Sequence, residues 1–293
     1  MKYLILIFYI YILMSKVIFN HLSKLTFVTA IFIFTTCKQN SGSGSSWHYS
    51  KSFPMTNVYP IGITGDANNL YVSSGLKTEV HKLNYDGGLI LPIKNIRKPK
   101  YLNMLSPGVF VVAESEGHVA SRVEGQDYIS TIPTNEFLDT PYGVAIDGNN
   151  LVITDYFKHR IFYNNGGKVM SFGQPGIGDG QFNGPSDVEI KNGLIYIVDS
   201  KNNRIQIFDT TGKYKRSIGE KDGIKLAGGL NITNDEIALT DYQGNRVLIY
   251  DLKGKLKQVL TEHFDQPSDV FIQKRDMYVV NYANNTISVF NKY

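Results

Sequence analysis

Three acid and base pairs recur at one spacing in this chain: Asp155 with Arg160, Asp199 with Arg204, and Asp241 with Arg246, each five residues apart. A carboxylate beside a guanidinium can polarise a substrate or relay charge, so the pairs invite a catalytic reading. Their repetition argues for a braced turn instead, because three copies at identical positions are a poor description of one active site. The equivalent positions Ser74, Glu114 and Asn281 lack the pair altogether. The run Gly173-Gln174-Pro175-Gly176-Ile177-Gly178-Asp179-Gly180 suggests a phosphate cradle by composition. Such cradles lead from a strand into a helix, whereas this run joins two strands with a different glycine spacing. His48, His81, His118, His159 and His263 show no HExxH or comparable ligand spacing and read as surface or turn residues. Cys37 is the only cysteine, which excludes an intramolecular disulfide.

The elements that must position these residues are legible in a period of about forty. Aligned on the residue that ends the second strand of each unit, the copies fall at Ser74, Glu114, Asp155, Asp199, Asp241 and Asn281, at intervals of 40, 41, 44, 42 and 40. Each unit opens on an inner strand, and five of the six begin it with proline: Pro60, Pro99, Pro141, Pro185 and Pro267, with Ala227 in the fifth. Proline has no ladder donor and is tolerated at a strand's first residue. In the third unit, strands are expected over residues 143–146, 151–154, 160–163 and 168–172, joined by Asp147-Gly148-Asn149-Asn150 and Asn164-Asn165-Gly166-Gly167. The sixth unit stops after three strands, at Ile287-Ser288-Val289-Phe290. Its fourth is expected from Trp47-His48-Tyr49-Ser50-Lys51-Ser52-Phe53, which resembles the fourth strands of other units. The architecture is therefore an all-β six-bladed β-propeller of four-stranded antiparallel blades, closed by the N-terminal strand.

The phrase from Gly178-Asp179-Gly180-Gln181-Phe182-Asn183-Gly184-Pro185 through Tyr196-Ile197-Val198-Asp199 to Asn203-Arg204-Ile205-Gln206-Ile207-Phe208-Asp209 resembles an NHL repeat. The resemblance covers residues 47–293, strongly in units three to six. It implies a six-bladed propeller whose commonest role is to bind other molecules on one face, without implying a single function. With the usual propeller winding, one rim collects the inner-strand starts and the loops after strand two. That rim is expected to present Asp187 and Asp269 near the central channel, with Tyr156, Tyr242 and Tyr282 as ligand-binding candidates beside them. Enzymes exist on this scaffold. Peptide-amidating lyases, which resemble NHL propellers, bind zinc through histidines directly after the inner-strand proline. Here those positions hold Ile61, Lys100, Tyr142, Ser186, Gly228 and Ser268, so that zinc site is absent. Lactonase-like propellers gather Glu, Asn and Asp around calcium at the channel mouth. Asp187 and Asp269, with Asn103, are the residues here that could hold a divalent cation in that way. The expectation is a binding or scaffold module for a protein, peptide or glycan. The alternative is a metal-dependent hydrolase or lyase at the channel mouth.

The N-terminal residues read as a targeting segment. A polar stretch with Lys16 and Lys24 precedes an apolar run of about twelve residues that ends at Cys37, the length of a signal-peptide core. With translation from Met14 rather than Met1, Phe34-Thr35-Thr36-Cys37 resembles a bacterial lipoprotein cleavage box. The Gly/Ser-rich residues 38–46 suit a flexible tether. Expected segments are thus a signal peptide over 1–37 with Cys37 lipidated, a linker over 38–46, and a propeller over 47–293 anchored to a membrane, exported and monomeric. The formal net charge of +4 largely disappears once Lys2, Lys16 and Lys24 are set aside, leaving 27 basic side chains against 26 acidic. That balance, with an exported address, argues against a nucleic-acid partner.

Overall fold

Six sheets of four antiparallel strands, each a simple up-and-down meander, are arranged as the blades of one propeller. The computed structural model describes residues 45–293 other than Asn57. The leader, Cys37 and most of the expected linker lie outside the described residues. Blades 1 to 5 span residues 60–94, 99–131, 141–172, 185–218 and 227–260. Blade 6 combines residues 267–292 with the N-terminal strand Trp47–Pro54, which pairs antiparallel with Thr286–Lys292 from Trp47 opposite Lys292 to Pro54 opposite Thr286. The expected closure is thus observed. The third blade's strands are Pro141–Asp147, Asn150–Asp155, Arg160–Asn164 and Val169–Phe172, so its inner strand starts two residues earlier than the apolar pattern indicates, at the proline itself.

The core is a ring of interblade layers rather than one central mass. Six clusters of buried apolar side chains occur, one between each pair of neighbouring blades. Strand-two alternation explains this: in Leu194–Asp199, Ile195 and Ile197 face the blade 3 side while Tyr196 and Val198 face blade 5. Both faces of the middle strands are buried, and only the outermost strands revert to half-exposure, as in Val169–Phe172.

Closure rests on Trp47. Its ring is 2% exposed, its indole Nε1 donates to Glu236 Oε1 at 3.0 Å, and Lys292 Nζ lies 5.3 Å from the ring centroid. The Trp47 backbone N–H donates to Gln258 Oε1 at 2.9 Å while Gln258 Nε2 returns a bond to the Trp47 carbonyl at 2.8 Å. The seam is therefore tied to blade 5 as well as to blade 6.

Every inner strand carries a register irregularity just after its first residue. Such a bulge leaves backbone groups outside the ladder, and in blades 1, 3 and 5 a hydroxyl near the end of strand two, from Ser73, Thr154 and Thr240, takes them up. Thr154 Oγ1 accepts from Gly143 N at 2.8 Å and donates to Ser186 O at 2.7 Å in the next blade. Gly143 is glycine because a Cβ there would stand 2.5 Å from the Ser186 carbonyl oxygen. The bulge thereby brings inner strands of adjacent blades to backbone contact and fixes which side chains reach the channel.

Candidate functional site: a tyrosine-walled channel mouth

The repeated acids prove to be braces that set the rim. Asp199 is fully buried; its Oδ1 accepts from Asn183 N at 2.7 Å, and its Oδ2 accepts from Arg204 Nε at 3.0 Å and Gln206 Nε2 at 3.0 Å. Arg204 Nη2 in turn donates to the Gly178 carbonyl at 2.6 Å, so the glycine-rich run is a loop held down by blade 4. Asp241 repeats the pattern, accepting from Lys225 N and Leu226 N at 3.0 Å each and from Arg246 Nε at 2.8 Å. Asp155 accepts from Asp139 N and Thr140 N, but Arg160 Nε stays 3.9 Å away. The divergent units keep the function with other chemistry: Glu114 accepts from Arg97 N at 2.7 Å, Asn281 from Asp265 N at 3.2 Å, and Ser74 donates to Val58 O at 2.6 Å. In all six blades this residue pins the loop that leads into its own inner strand.

Between those pinned loops lies a cavity of about 310 Å³, centred on the channel where the inner strands begin. Its lining includes Tyr101, Tyr142, Tyr156, Tyr242 and Tyr282. The rings form two arcs. On one side Tyr101 neighbours Tyr142 at 5.9 Å between centroids, and Tyr142 stacks on Tyr156 at 4.7 Å. On the other, Tyr59, Tyr282 and Tyr242 follow one another at 6.2 Å steps. Blade 4 interrupts the ring, because Ser200 stands where three other blades place tyrosine and opens a one-turn 3₁₀ helix, Ser200–Asn202. The next residue, Lys201, lays its Nζ 5.2 Å from the Tyr156 ring centroid. Gly184 makes room for Tyr156: its φ is +68°, and a Cβ would stand 2.8 Å from the phenol's Cζ. Around the mouth, Leu76, Phe137, Phe157 and Ile177 are each more than 60% exposed on loops of the same face.

Burial pushes the Tyr142 phenol up to about 12, helped by the neighbouring Tyr156, and it raises Tyr101 and Tyr242 as well. These hydroxyls are therefore protonated donors at any ordinary pH. Lys100 moves the other way: desolvation, and then the Lys98 ammonium, push it down to about 8. Its Nζ lies 4.9 Å from the Tyr142 ring centroid.

Asp187 and Asp269 do not share this cavity. They line a second one of about 210 Å³ further along the channel, with Glu189, Asn103 and Asn231. Tyr101 separates the two: it is 5% exposed, crosses from blade 2, and donates its hydroxyl to Ser268 O of blade 6 at 3.2 Å. The expected single rim of tyrosines and aspartates is thus two sites, because the bulge turns residue two of each inner strand toward the mouth and residue three inward. Asp187 accepts from Val188 N and from Leu230 N of blade 5, both at 2.8 Å. Asp269 accepts likewise from Val270 N and from Ile63 N of blade 1. Burial raises Asp187 to about 7 and Glu189 to about 8, and it raises Asp269, with the Asp187 charge adding to it. Among the described residues no group of three or more His, Cys, Asp or Glu side chains has a metal-holding arrangement.

Sequence reasoning singled out Tyr156, Tyr242 and Tyr282 but not Tyr59, Tyr101, Tyr142 or Lys100. The signal for Lys100 and Tyr142 was available, since both occupy the step directly after an inner-strand proline, the ring of positions that faces the mouth in every blade.

A family model described as 6-bladed beta-propeller (DUF5128) matches residues 179–293, which is the span of blades 4 to 6. No curated protein matches the chain. Among solved structures, a streptogramin B lyase is similar with a TM-score of 0.63 at 14% identity, covering 84% of this chain and 98% of that one. A catalytically inactive virginiamycin B lyase from Staphylococcus aureus, solved with quinupristin, is similar with a TM-score of 0.62 at 17% identity, covering 85% of this chain and 88% of that one. A selenomethionine-substituted virginiamycin B lyase from the same organism has a TM-score of 0.60, the same identity and the same coverage. At these identities the likeness is one of fold.

Proposed function

We propose that this propeller is a binding module whose ligand enters the tyrosine-walled mouth. The observation that carries the reading is the lining itself: five tyrosines around about 310 Å³, at the small end of the ~300–1,000 Å³ usual for ligand pockets. Tyrosine combines a large apolar body with a polar tip and loses little rotamer freedom on binding. The exposed Phe137, Phe157, Leu76 and Ile177 extend the apolar surface outward, which suits a ligand larger than the cavity, such as a peptide or a glycan chain. The NHL-like phrase around Asp199 supports a binding role on this face.

The metal-dependent hydrolase or lyase reading finds less support at the mouth. Among the described residues, no carboxylate, imidazole or thiol lines it, and Asp187 and Asp269 each have both oxygens engaged by backbone N–H groups in the second cavity. The test is a screen of peptide and glycan arrays with the full chain, its Tyr156→Ala variant and its Tyr242→Ala variant. Hits that both variants lose while keeping the wild-type melting temperature are expected. Hits that neither substitution affects would place the ligand elsewhere.

The same proposal puts the propeller at a membrane surface, with the thiol of Cys37 acylated and residues 38–46 as the leash. A Cys37→Ser variant is expected to lose fatty-acid labelling and to partition into the soluble fraction. Retention of both labelling and membrane association would sink the anchor.

A further inference from the structure

The mouth is specific in its charge and in its hydrogen-bonding directions. Among the described residues, its lining contains one ionisable cation, Lys100, and no carboxylate. The acid that could neutralise it, Glu116, is already paired with Lys98. A lysine drawn into a cavity over an aromatic face without a counter-ion is held at a cost that an incoming anion would relieve. The serine hydroxyls around it are constrained in the opposite sense. Ser186 Oγ donates to Gly228 O at 3.0 Å, Ser200 Oγ to Ala227 O at 2.6 Å, and Ser268 Oγ to Pro60 O at 3.0 Å. With their hydrogens spent on the backbone, these oxygens offer lone pairs to the cavity, which a ligand rich in hydroxyl donors would satisfy. Tyr101 and Tyr242 are committed too, to Ser268 O and to Gln266 Oε1. The stacked faces of Tyr142 and Tyr156 add a platform for a ring.

We propose that the mouth selects an acidic sugar, a polyhydroxylated ring whose carboxylate is anchored by the Lys100 ammonium; this rests on reading the mouth as the ligand site. One lysine and no guanidinium fork match a singly charged carboxylate better than a phosphate, which calls for more charge or a bidentate partner. A plain aromatic acid would stack and pair with Lys100 but leave the serine acceptors without donors. Because burial and Lys98 set Lys100 near 8, the anchor weakens as pH rises through that value.

The test is isothermal titration of the full chain with D-glucuronate, D-glucose and benzoate, repeated with Lys100→Met, Lys100→Arg and Tyr156→Ala. Glucuronate is expected to bind at least about tenfold more tightly than glucose or benzoate, the scale of one charge-assisted bond. Lys100→Met should erase the preference over glucose at a melting temperature no lower than that of the wild type, and Lys100→Arg should retain part of it. Tyr156→Ala should weaken glucuronate and glucose alike. Glucose binding as tightly as glucuronate, or Lys100→Met leaving the preference intact, overturns the anchor. Benzoate binding as tightly as glucuronate overturns the sugar. Failure of all three probes overturns the ligand class, while array hits that still depend on Tyr156 and Tyr242 would leave the mouth itself standing.

Discussion

Asp199 and Arg204 illustrate how a charged pair can look like chemistry and be architecture. Asp199 is wholly buried and the Arg204 side chain is 6% exposed, so removing one partner strands a desolvated charge. Asp199→Ala is expected to cost about 3–5 kcal/mol, the range for breaking a buried pair. Asp155→Ala should cost less, since the Arg160 side chain is 27% exposed and its Nε is 3.9 Å from the acid. Equal losses in denaturant melts of the two variants would contradict this ranking. The buried carboxyl of Asp187 makes a separate prediction. Raised to about 7 from an ordinary 3.8, it keeps a proton in the folded protein that the unfolded chain has released. Stability is thus fully present below about pH 4, falls as pH rises from there through about 7, and levels above. The neighbouring Asp269 and Glu189, also raised, add to the same slope. Asp187→Asn should therefore gain on the wild type in melting temperature between about pH 5 and about pH 8; an unchanged difference across that interval would refute the assignment. The placement of this residue was the part of the site that periodicity could not resolve. A bulge after Pro185 decides which of Ser186 and Asp187 faces the mouth, and a bulge leaves no mark in an apolar pattern.

At the scale of elements, the strands were legible because each middle strand alternates between two interblade layers, and the turns because Asn, Asp and Gly punctuate them. The fourth strand of blade 6 was legible by counting: three strands after Pro267 require a fourth, and Trp47 to Phe53 is where it lies. What the pattern did not reveal is how the seam is locked, because Glu236 and Gln258 are on blade 5, about two hundred residues away in sequence. Trp47→Ala removes a fully enclosed ring together with its bond to Glu236. The expected loss is about 3–5 kcal/mol, with the Trp47–Pro54 strand exchanging its amide hydrogens well before the other blades. If the variant instead melted as the wild type does, with the strand equally protected, closure would not depend on the tryptophan.

Taken together, the described residues form a closed ring of blades whose variable positions converge on one mouth. Conserving the brace at the end of strand two, whether through Asp, Glu, Asn or Ser, lets residues beside it differ, and Tyr156, Tyr242 and Tyr282 against Ser200 are that difference. All six inner-strand second residues line the mouth, and two of them, Lys100 and Tyr142, were hidden by being read only for what they lack, a zinc-binding histidine. The near balance of charge over residues 38–293, 27 basic side chains against 26 acidic, leaves selection to the cavity rather than to long-range attraction. On the proposed function, the tyrosine arcs enclose the ligand. Its most direct test is a crystal structure of the chain with a ligand drawn from the array screen. Ligand density is expected stacked between Tyr142, Tyr156, Tyr242 and Tyr282 above Tyr101. Density confined to the Asp187 and Asp269 cavity, or to the outer strands of the blades, would contradict it.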